Sequence, residues 1–442
     1  MPPVQPRTAI IGAGSSGIAA AKALLDRRID FVCYEASDRV GGNWVFGNRN
    51  GMSSAYEGLH INTSRERMEY ADYPMPKSIP DFPHHTHIAR YFDDYADHFG
   101  LRDHIRFNTS VTHAEPRPGG GWTLTLDSGE TEEFDALLVA NGHHWNPRWP
   151  EPAFAGHDMF EGVQMHAHEY TSDEQLRDRD VVVLGMGNSA MDIAVESSYV
   201  ANTTTLAARR GAWIIPKYLF GRPMDQLPAS PKLPFRIQRA IYKRIVLTYT
   251  GPMERYGLPK PDHDFLDAHP TVSGRILDRL GHGAIVPKPN IARLSEHEVH
   301  FTDGTSVAAD VIVYCTGYKI TFPFFDEQVI SAPDNRIELF QRAVHPDHDD
   351  LFFVGLVQPL GAMMPLAEAQ GKWIAEYLAG DYRLPPRSEM LRAIAADRQA
   401  MDRRYVTSKR HTIQVDFAPY LEGLAKELEA GRARVGRGGV AA

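Results

Sequence analysis

The sequence predicts an α/β protein made of two parallel-sheet units of one design, the second inserted into a larger first. Two observations carry this. Residues Thr8 to Tyr34 read as a strand (Thr8–Ile11), a glycine-rich turn (Gly12–Gly17), a helix (Ile18–Leu25) and a second strand (Phe31–Tyr34). The same order recurs downstream as Val181–Leu184, Gly185–Ala190, a helix through about Ser198 and a strand from Thr203 to Ala208. A repeated unit is better evidence than either copy alone, and 442 residues exceed what one hydrophobic core comfortably serves.

The remaining elements follow in order. Trp122–Leu126 alternates like a strand, and the Asp127-Ser128-Gly129 turn leads to a strand from Phe134 to Val139. After the second copy, 216–289 reads as a Pro- and aromatic-rich insertion enclosing one helix from Phe235 to Leu247. His300-Phe301-Thr302 and Val311–Tyr314 flank a turn at Asp303-Gly304, and Leu351–Val354 and a helix from about Pro365 to Leu378 complete the core. The boundaries expected are 1–160 and 309–442 for the larger unit and 161–308 for the inserted one, with a flexible Gly- and Arg-rich tail from Gly431.

Each glycine-rich turn carries a specific chemistry. Gly12-Ala13-Gly14-Ser15-Ser16-Gly17 is G-x-G-x-x-G between a strand and a helix, where glycines admit a pyrophosphate to the helix N-terminus. Glu35, at the end of the next strand, is placed to accept from an adenosine ribose, so the unit reads as a Rossmann-like dinucleotide site. Gly185-Met186-Gly187-Asn188-Ser189-Ala190 is the second version, with Ala in the third position. Its strand ends in Arg209-Arg210 where the first has Glu35, so positive charge suited to a 2′-phosphate replaces the carboxylate, and NADPH is expected over NADH. Two such sites in one chain suggest electron transfer from a nicotinamide to a flavin. The glycine spacing alone leaves open which copy takes which.

Composition narrows the setting. The formal charge of −9 disfavours an electrostatic nucleic-acid or anionic-membrane partner for the chain as a whole. Cys33 and Cys315 lie far apart in apolar runs, which argues for free thiols in a reducing compartment and against a disulfide framework or cysteine metal site. No secretory signal is visible, and no apolar stretch approaches the roughly 20 residues of a membrane span, so a cytoplasmic protein without a membrane anchor is expected. His84-His85-Thr86-His87 lacks a Cys or carboxylate ligand pattern, and no metal is expected there.

Several motifs together resemble the flavin-containing monooxygenase family, the class B flavoprotein monooxygenases. After Glu35 comes Val40-Gly41-Gly42-Asn43-Trp44, similar to the Gly-Gly-x-Trp turn of its FAD site, which by resemblance assigns FAD to the first copy. Phe160, Gly162, His166 and Tyr170 match the family fingerprint F-x-G-x-x-x-H-x-x-x-[Y/F] just before the second copy. Asn62-Thr63-Ser64 with Met68, Gly185–Ser189, Arg210–Trp213, Thr316-Gly317-Tyr318 and Gly355–Gly361 extend the likeness over most of the chain; it is weakest from about Leu219 to Pro289. The resemblance implies FAD and NADPH as cofactors, O₂ as co-substrate, and an FAD C4a-hydroperoxide that passes one oxygen to a soft nucleophile, an amine N or sulfide S, of a small molecule.

The same resemblance distributes roles. Asn62 becomes the candidate catalytic residue beside the flavin, as an amide that can donate without changing protonation. Thr63, Gln358, Gly42, Trp44 and Ser16 join Gly12, Gly14, Gly17 and Glu35 around FAD; Gly185, Gly187, Asn188, Ser189, Arg209, Arg210 and Thr316 are given to NADPH and the domain junction. His166 and Tyr170 are read as positional, not as acid/base groups. Tyr170-Thr171, where Baeyer–Villiger monooxygenases usually carry Trp then Pro or Asp, favours amine or sulfide oxidation; ketone oxidation, an NADPH oxidase and a non-catalytic flavin-binding regulator stay open. Cys33 and Cys315 offer no redox pair for a disulfide reductase. The substrate is a small molecule, and a homodimer is among the assemblies open to the chain.

Overall fold

The structure, a computed structural model, describes residues 6–227, 234–405 and 412–438. It divides into two compact units, Met1–Ser53 with Thr63–Asn146 and Lys319–Ala442, and Ser54–Asn62 with Pro147–Tyr318. The second unit thus starts before and ends after the expected 161–308, and it takes in a short segment, Ser54–Asn62, that the sequence reading left with the first. That segment joins because Tyr56 is buried in the apolar core of the second unit.

In the first unit a six-stranded sheet runs in the order Val344–His345, His348–Phe353, Ala136–Val139, Thr8–Ile11, Phe31–Tyr34 and Ile105–Arg106. Thr8–Ile11 pairs in parallel with both neighbours, Ile10 opposite Cys33 on one side and Leu138 on the other. Ala9, Ile11, Leu137, Val139, Leu351 and Phe353 point to one apolar cluster, which explains why these strands read as unbroken apolar runs: both faces are covered. The helix Ser15–Asp26 packs against the helix Met364–Leu378 so closely that a Cβ on Gly371 would stand 3.0 Å from Ala20 Cα.

Two expectations change here. Phe134–Val139 is not one strand: Thr131–Phe134 belongs to an antiparallel sheet with Val111–Pro116 and Trp122–Leu126, and Ala136–Val139 to the main sheet. The break falls at Asp135, whose backbone N–H donates to Arg7 O and whose carboxylate accepts from Arg7 N, each at 2.8 Å. Of the tail expected to be flexible from Gly431, residues 431–438 continue the helix Phe417–Gly438, and the rest lies outside the described residues. Gly431 is buried where any Cβ would strike the Tyr382 ring, so the glycine that looked like a breaker is a packing contact.

In the second unit a five-stranded parallel sheet runs Val286–Lys288, Thr203–Ala207, Asp180–Leu184, Val311–Tyr314 and Val163–His166. Val181, Val183, Val311 and Val313 enter one core cluster and Val182, Leu184, Ile312 and Tyr314 the other, the period-two division expected of a doubly covered sheet. Asn188–Val200 is the helix after the glycine turn, and the insertion helix extends over Phe235–Thr250 until Gly251 ends it at φ 75°. No helix among the described residues is long and apolar enough to cross a membrane.

Candidate functional site

The first glycine turn is a backbone cradle. Gly12 sits at φ 99°, where a Cβ would lie 2.7 Å from Ala140 O, and Gly17 lies directly on the Gly12 carbonyl. Gly14 faces Gly42 across the turn, with room for a Cβ 3.7 Å from Gly42 Cα. The helix Ser15–Asp26 begins at Gly14 with no side-chain cap and no acidic residue in its first turn, so its leading N–H groups and positive dipole end are left for an anion.

Glu35 is buried against this cradle. One carboxylate oxygen accepts from Ala13 N at 2.7 Å and the other from Ser37 N at 2.8 Å. Burial raises its proton affinity, and the two backbone donors oppose that. Each oxygen keeps a second lone pair for a ribose hydroxyl. Gly41 N donates to Ala13 O at 3.0 Å and Asn48 Nδ2 to Gly42 O at 3.2 Å, so the Gly41-Gly42-Asn43-Trp44 turn is held beside the cradle, with Trp44 half-buried in it. Gly355, at φ 79°, lies so close to Ser16 that a Cβ would strike its hydroxyl, and Gly355 N donates at 2.8 Å to the buried Gln370, a residue no motif singled out. Gln358 forms a short parallel strand with Gln414. Thr63 belongs to this unit.

The second turn repeats the design with differences. Gly185 sits at φ 145°, with a Cβ position 2.8 Å from Cys315 O, and the helix Asn188–Val200 starts at Gly187, again uncapped and without early acids. Asn188 Oδ1 accepts from Val272 N at 2.9 Å, which ties the turn to the strand Thr271–Val272; Ser189 follows it in the first helical turn, half-buried. Arg209 and Arg210 are exposed at the end of Thr203–Ala207, and Arg210 is engaged by Asp262.

The fingerprint residues lie in the same unit. Phe160 is in its apolar core, and Gly162 leaves no space for a Cβ between Asp310 O and the Phe160 ring. His166 is fully buried; its Nδ1 accepts from His168 N at 3.1 Å, which puts the proton on Nε2, and burial pushes its pKa down to about 4. Tyr170 donates to Glu196 Oε2 at 2.5 Å and lies 5.6 Å from Tyr56, whose hydroxyl donates to Asp192 Oδ2 at 2.7 Å. Burial raises Asp192 to about 6 and Glu196 to about 7. Asp192 and Glu196 were not among the sequence candidates, although two acids four apart between Met191, Ile193, Ala194 and Val195 on an otherwise apolar helix are a readable signal. Thr316 donates its hydroxyl to the Arg148 carbonyl. Asn62, the last residue of Ser54–Asn62, keeps its carboxamide oxygen buried and without a partner among the described residues. The His84–His87 group caps and enters the helix His85–His98, His84 Nδ1 lying 2.8 Å from Thr86 Oγ1.

The flavin-binding monooxygenase-like family model matches residues 5–433. The chain belongs to that family. Flavin-containing monooxygenase 5 of Rattus norvegicus is 35% identical over 438 residues, spanning 95% of this chain and 82% of the relative. Dimethylaniline monooxygenase [N-oxide-forming] 2 of the same organism is 32% identical over 444 residues, 96% and 83% of the two chains. Among solved structures, S-allyl-L-cysteine S-oxygenase from Allium sativum superposes at a TM-score of 0.73 with 26% identity, covering 97% of this chain and 90% of that one. This family member is therefore an NADPH-dependent flavin monooxygenase acting on small molecules, with FAD and NADPH as cofactors. Its two glycine cradles, each closed to a Cβ at the first glycine and each opening on an uncapped helix, fit two pyrophosphates.

Proposed function

We propose that this monooxygenase oxidises a soft nucleophilic centre, an amine nitrogen or sulfide sulfur, with FAD in the first unit and NADPH in the second, and with Asn62 as the residue beside the reacting atoms. Bound FAD supplies the electron transfer and the oxygen activation. The balance is NADPH, a proton, O₂ and substrate to NADP⁺, water and the N- or S-oxide. Gly12, Gly14, Gly17, Ser16, Gly42, Trp44, Thr63 and Gln358 would hold the flavin nucleotide, and Glu35 its ribose. Gly185, Gly187, Asn188 and Ser189 would take the NADPH pyrophosphate and Arg209 the 2′-phosphate.

The observation that carries Asn62 is its buried, unpaired carboxamide oxygen. A buried polar atom left unpaired costs about 1–3 kcal/mol, and a ligand that pairs with it recovers that cost. Oxygen and nitrogen of an amide exchange places by a flip, so the same position can offer donor or acceptor. Tyr170-Thr171 at the end of the fingerprint supports the soft nucleophile, as do the N-oxide-forming and S-oxygenase names of relatives. The two cysteines, both free, support a reducing compartment such as the cytoplasm.

The test is NADPH oxidation under ¹⁸O₂ with a tertiary amine, a thioether and a cyclic ketone. Label in the N- or S-oxide with little ester is the expected result; ester from the ketone as the main labelled product overturns the substrate class, and NADPH consumed only to hydrogen peroxide overturns the monooxygenation of these centres.

A further inference from the structure

The segment Ser54–Asn62 belongs to the second unit although the chain on either side of it does not, and four contacts hold it there. Tyr56 donates to Asp192 Oδ2 at 2.7 Å. Glu57 N donates to Thr171 O at 2.8 Å. Gly58 lies so near Glu196 that a Cβ would strike its carboxylate, so no other residue fits without moving that side chain. Lys217 Nζ donates to the carbonyl of Ile61, the residue before Asn62, at 3.2 Å.

Two of these anchors, Asp192 and Glu196, are one and two turns into the helix whose first turn follows the second glycine cradle. At a four-residue spacing they stand on one face, and each is engaged by a buried tyrosine, Asp192 by Tyr56 and Glu196 by the fingerprint's Tyr170. Two acids on one half-buried helix face are unfavourable for stability alone, because desolvation opposes both charges, although Lys217 favours that of Asp192. Their placement is accounted for by what they hold.

We propose that Asp192 and Glu196 are positioning residues: through Tyr56 and Gly58 they tie the segment that ends at Asn62 to the helix that opens the second dinucleotide site. The proposal rests on the reading of Asn62 as the residue beside the reacting atoms. A carboxamide that must meet its partner within a few tenths of an ångström cannot sit at the end of an untethered loop, and the latch supplies the tether.

Hydrogen exchange of the holoenzyme and a mutant cycle test it. Tyr56→Phe removes one hydroxyl, and Asp192→Ala removes the acceptor to which that hydroxyl donates. Either is expected to speed exchange of the amides of 55–62 on the order of tenfold while the amides of 190–200 stay protected. If one variant does not fold, the other decides. Unchanged exchange in the segment overturns the latch whatever Asn62 does. In turnover, Tyr56→Phe should lower kcat on the order of tenfold with KM for NADPH little changed, and should add nothing to Asn62→Ala in the double variant. Additive losses overturn action through Asn62. Should Asn62→Ala leave turnover intact while the exchange result holds, the catalytic reading of Asn62 falls and the latch stands as a structural tether.

Discussion

Arg210 Nε is held 2.5 Å from Asp262 Oδ2, whereas Arg209, beside it at the end of the same strand, has no carboxylate partner among the described residues. Asp262 in turn is kept well ionised by His263 and Arg210. The two arginines that the sequence offers as one basic pair are therefore unequal.

Arg209 is the more available for a 2′-phosphate. A charge-assisted hydrogen bond contributes about 1.5–3 kcal/mol, so Arg209→Ala should raise KM for NADPH by about 10- to 150-fold and leave KM for NADH within about twofold. Arg210→Ala should cost NADPH less, because its guanidinium already has a carboxylate. Asp262→Asn should lower KM for NADPH a few-fold by releasing Arg210. Steady-state kinetics with both nucleotides decide it, and equal losses for NADPH and NADH would remove the 2′-phosphate assignment.

Gly14 separates cofactor approach from folding. Its φ of −71° suits any residue, and a Cβ would stay 3.7 Å from Gly42 Cα, so Gly14→Ala is expected to fold with a melting temperature within about 2 °C of the parent apoprotein. The added methyl points at the space where a pyrophosphate would approach, and FAD affinity should fall on the order of 100-fold. Gly12→Ala, by contrast, places a Cβ against Ala140 O at φ 99° and should lose the fold as well. Flavin absorbance of the purified proteins, with melting curves of the apo forms, separates the two effects; a Gly14→Ala protein that keeps stoichiometric flavin would refute the assignment.

Much of this was readable beforehand because the parallel strands are covered on both faces and so appear as plain apolar runs; Val311–Tyr314 coincides with its strand residue for residue. What escaped depended on contacts between distant residues. Asp135 ends a strand only because Arg7 bonds to it, and Gly431 continues a helix only because Tyr382 needs its face. The sequence reading names no helix over His85–His98, although Ile88, Tyr91, Phe92 and Tyr95 carry its helical period. The transfer of Ser54–Asn62 to the second unit, and with it the Tyr56–Asp192 pair, has no local signature at all. Asp262 lies too far from Arg210 in sequence for the pairing to be read from spacing.

Glu196 makes stability depend on pH. Its carboxyl is raised to about 7, first by burial, then by the neighbouring Asp192, Asp173 and Glu57, while the Tyr170 hydroxyl opposes the rise. A carboxyl with a folded pKa above its unfolded one stabilises the fold below the unfolded value, near 4.5, and that contribution is lost as pH climbs through about 7. Glu196→Gln keeps an acceptor for Tyr170 without the charge. Relative to the parent it should gain about 1–2 kcal/mol, or roughly 1–2 °C, between about pH 5 and pH 8.5. Calorimetry across that range checks it; a difference that does not change with pH would show that Glu196 stays in one protonation state.

His166 runs in the opposite sense. Burial, with a smaller contribution from His168, holds its folded pKa at about 4, below the ordinary 6.5, so its share of stability is full above about 6.5 and disappears as pH falls through about 4. The ring is then neutral throughout the working range, with Nδ1 occupied by His168 N, and no proton is available from it for the reaction. His166→Asn retains an acceptor near the Nδ1 position. Its stability deficit at about pH 7.5 should be on the order of 1–3 kcal/mol and should shrink towards zero by about pH 4.5, while the limbs of the kcat–pH profile between about pH 5.5 and 9 stay where they are. A limb that moves with His166→Asn would make this histidine an acid or base in turnover, and the fingerprint would then carry proton transfer as well as position.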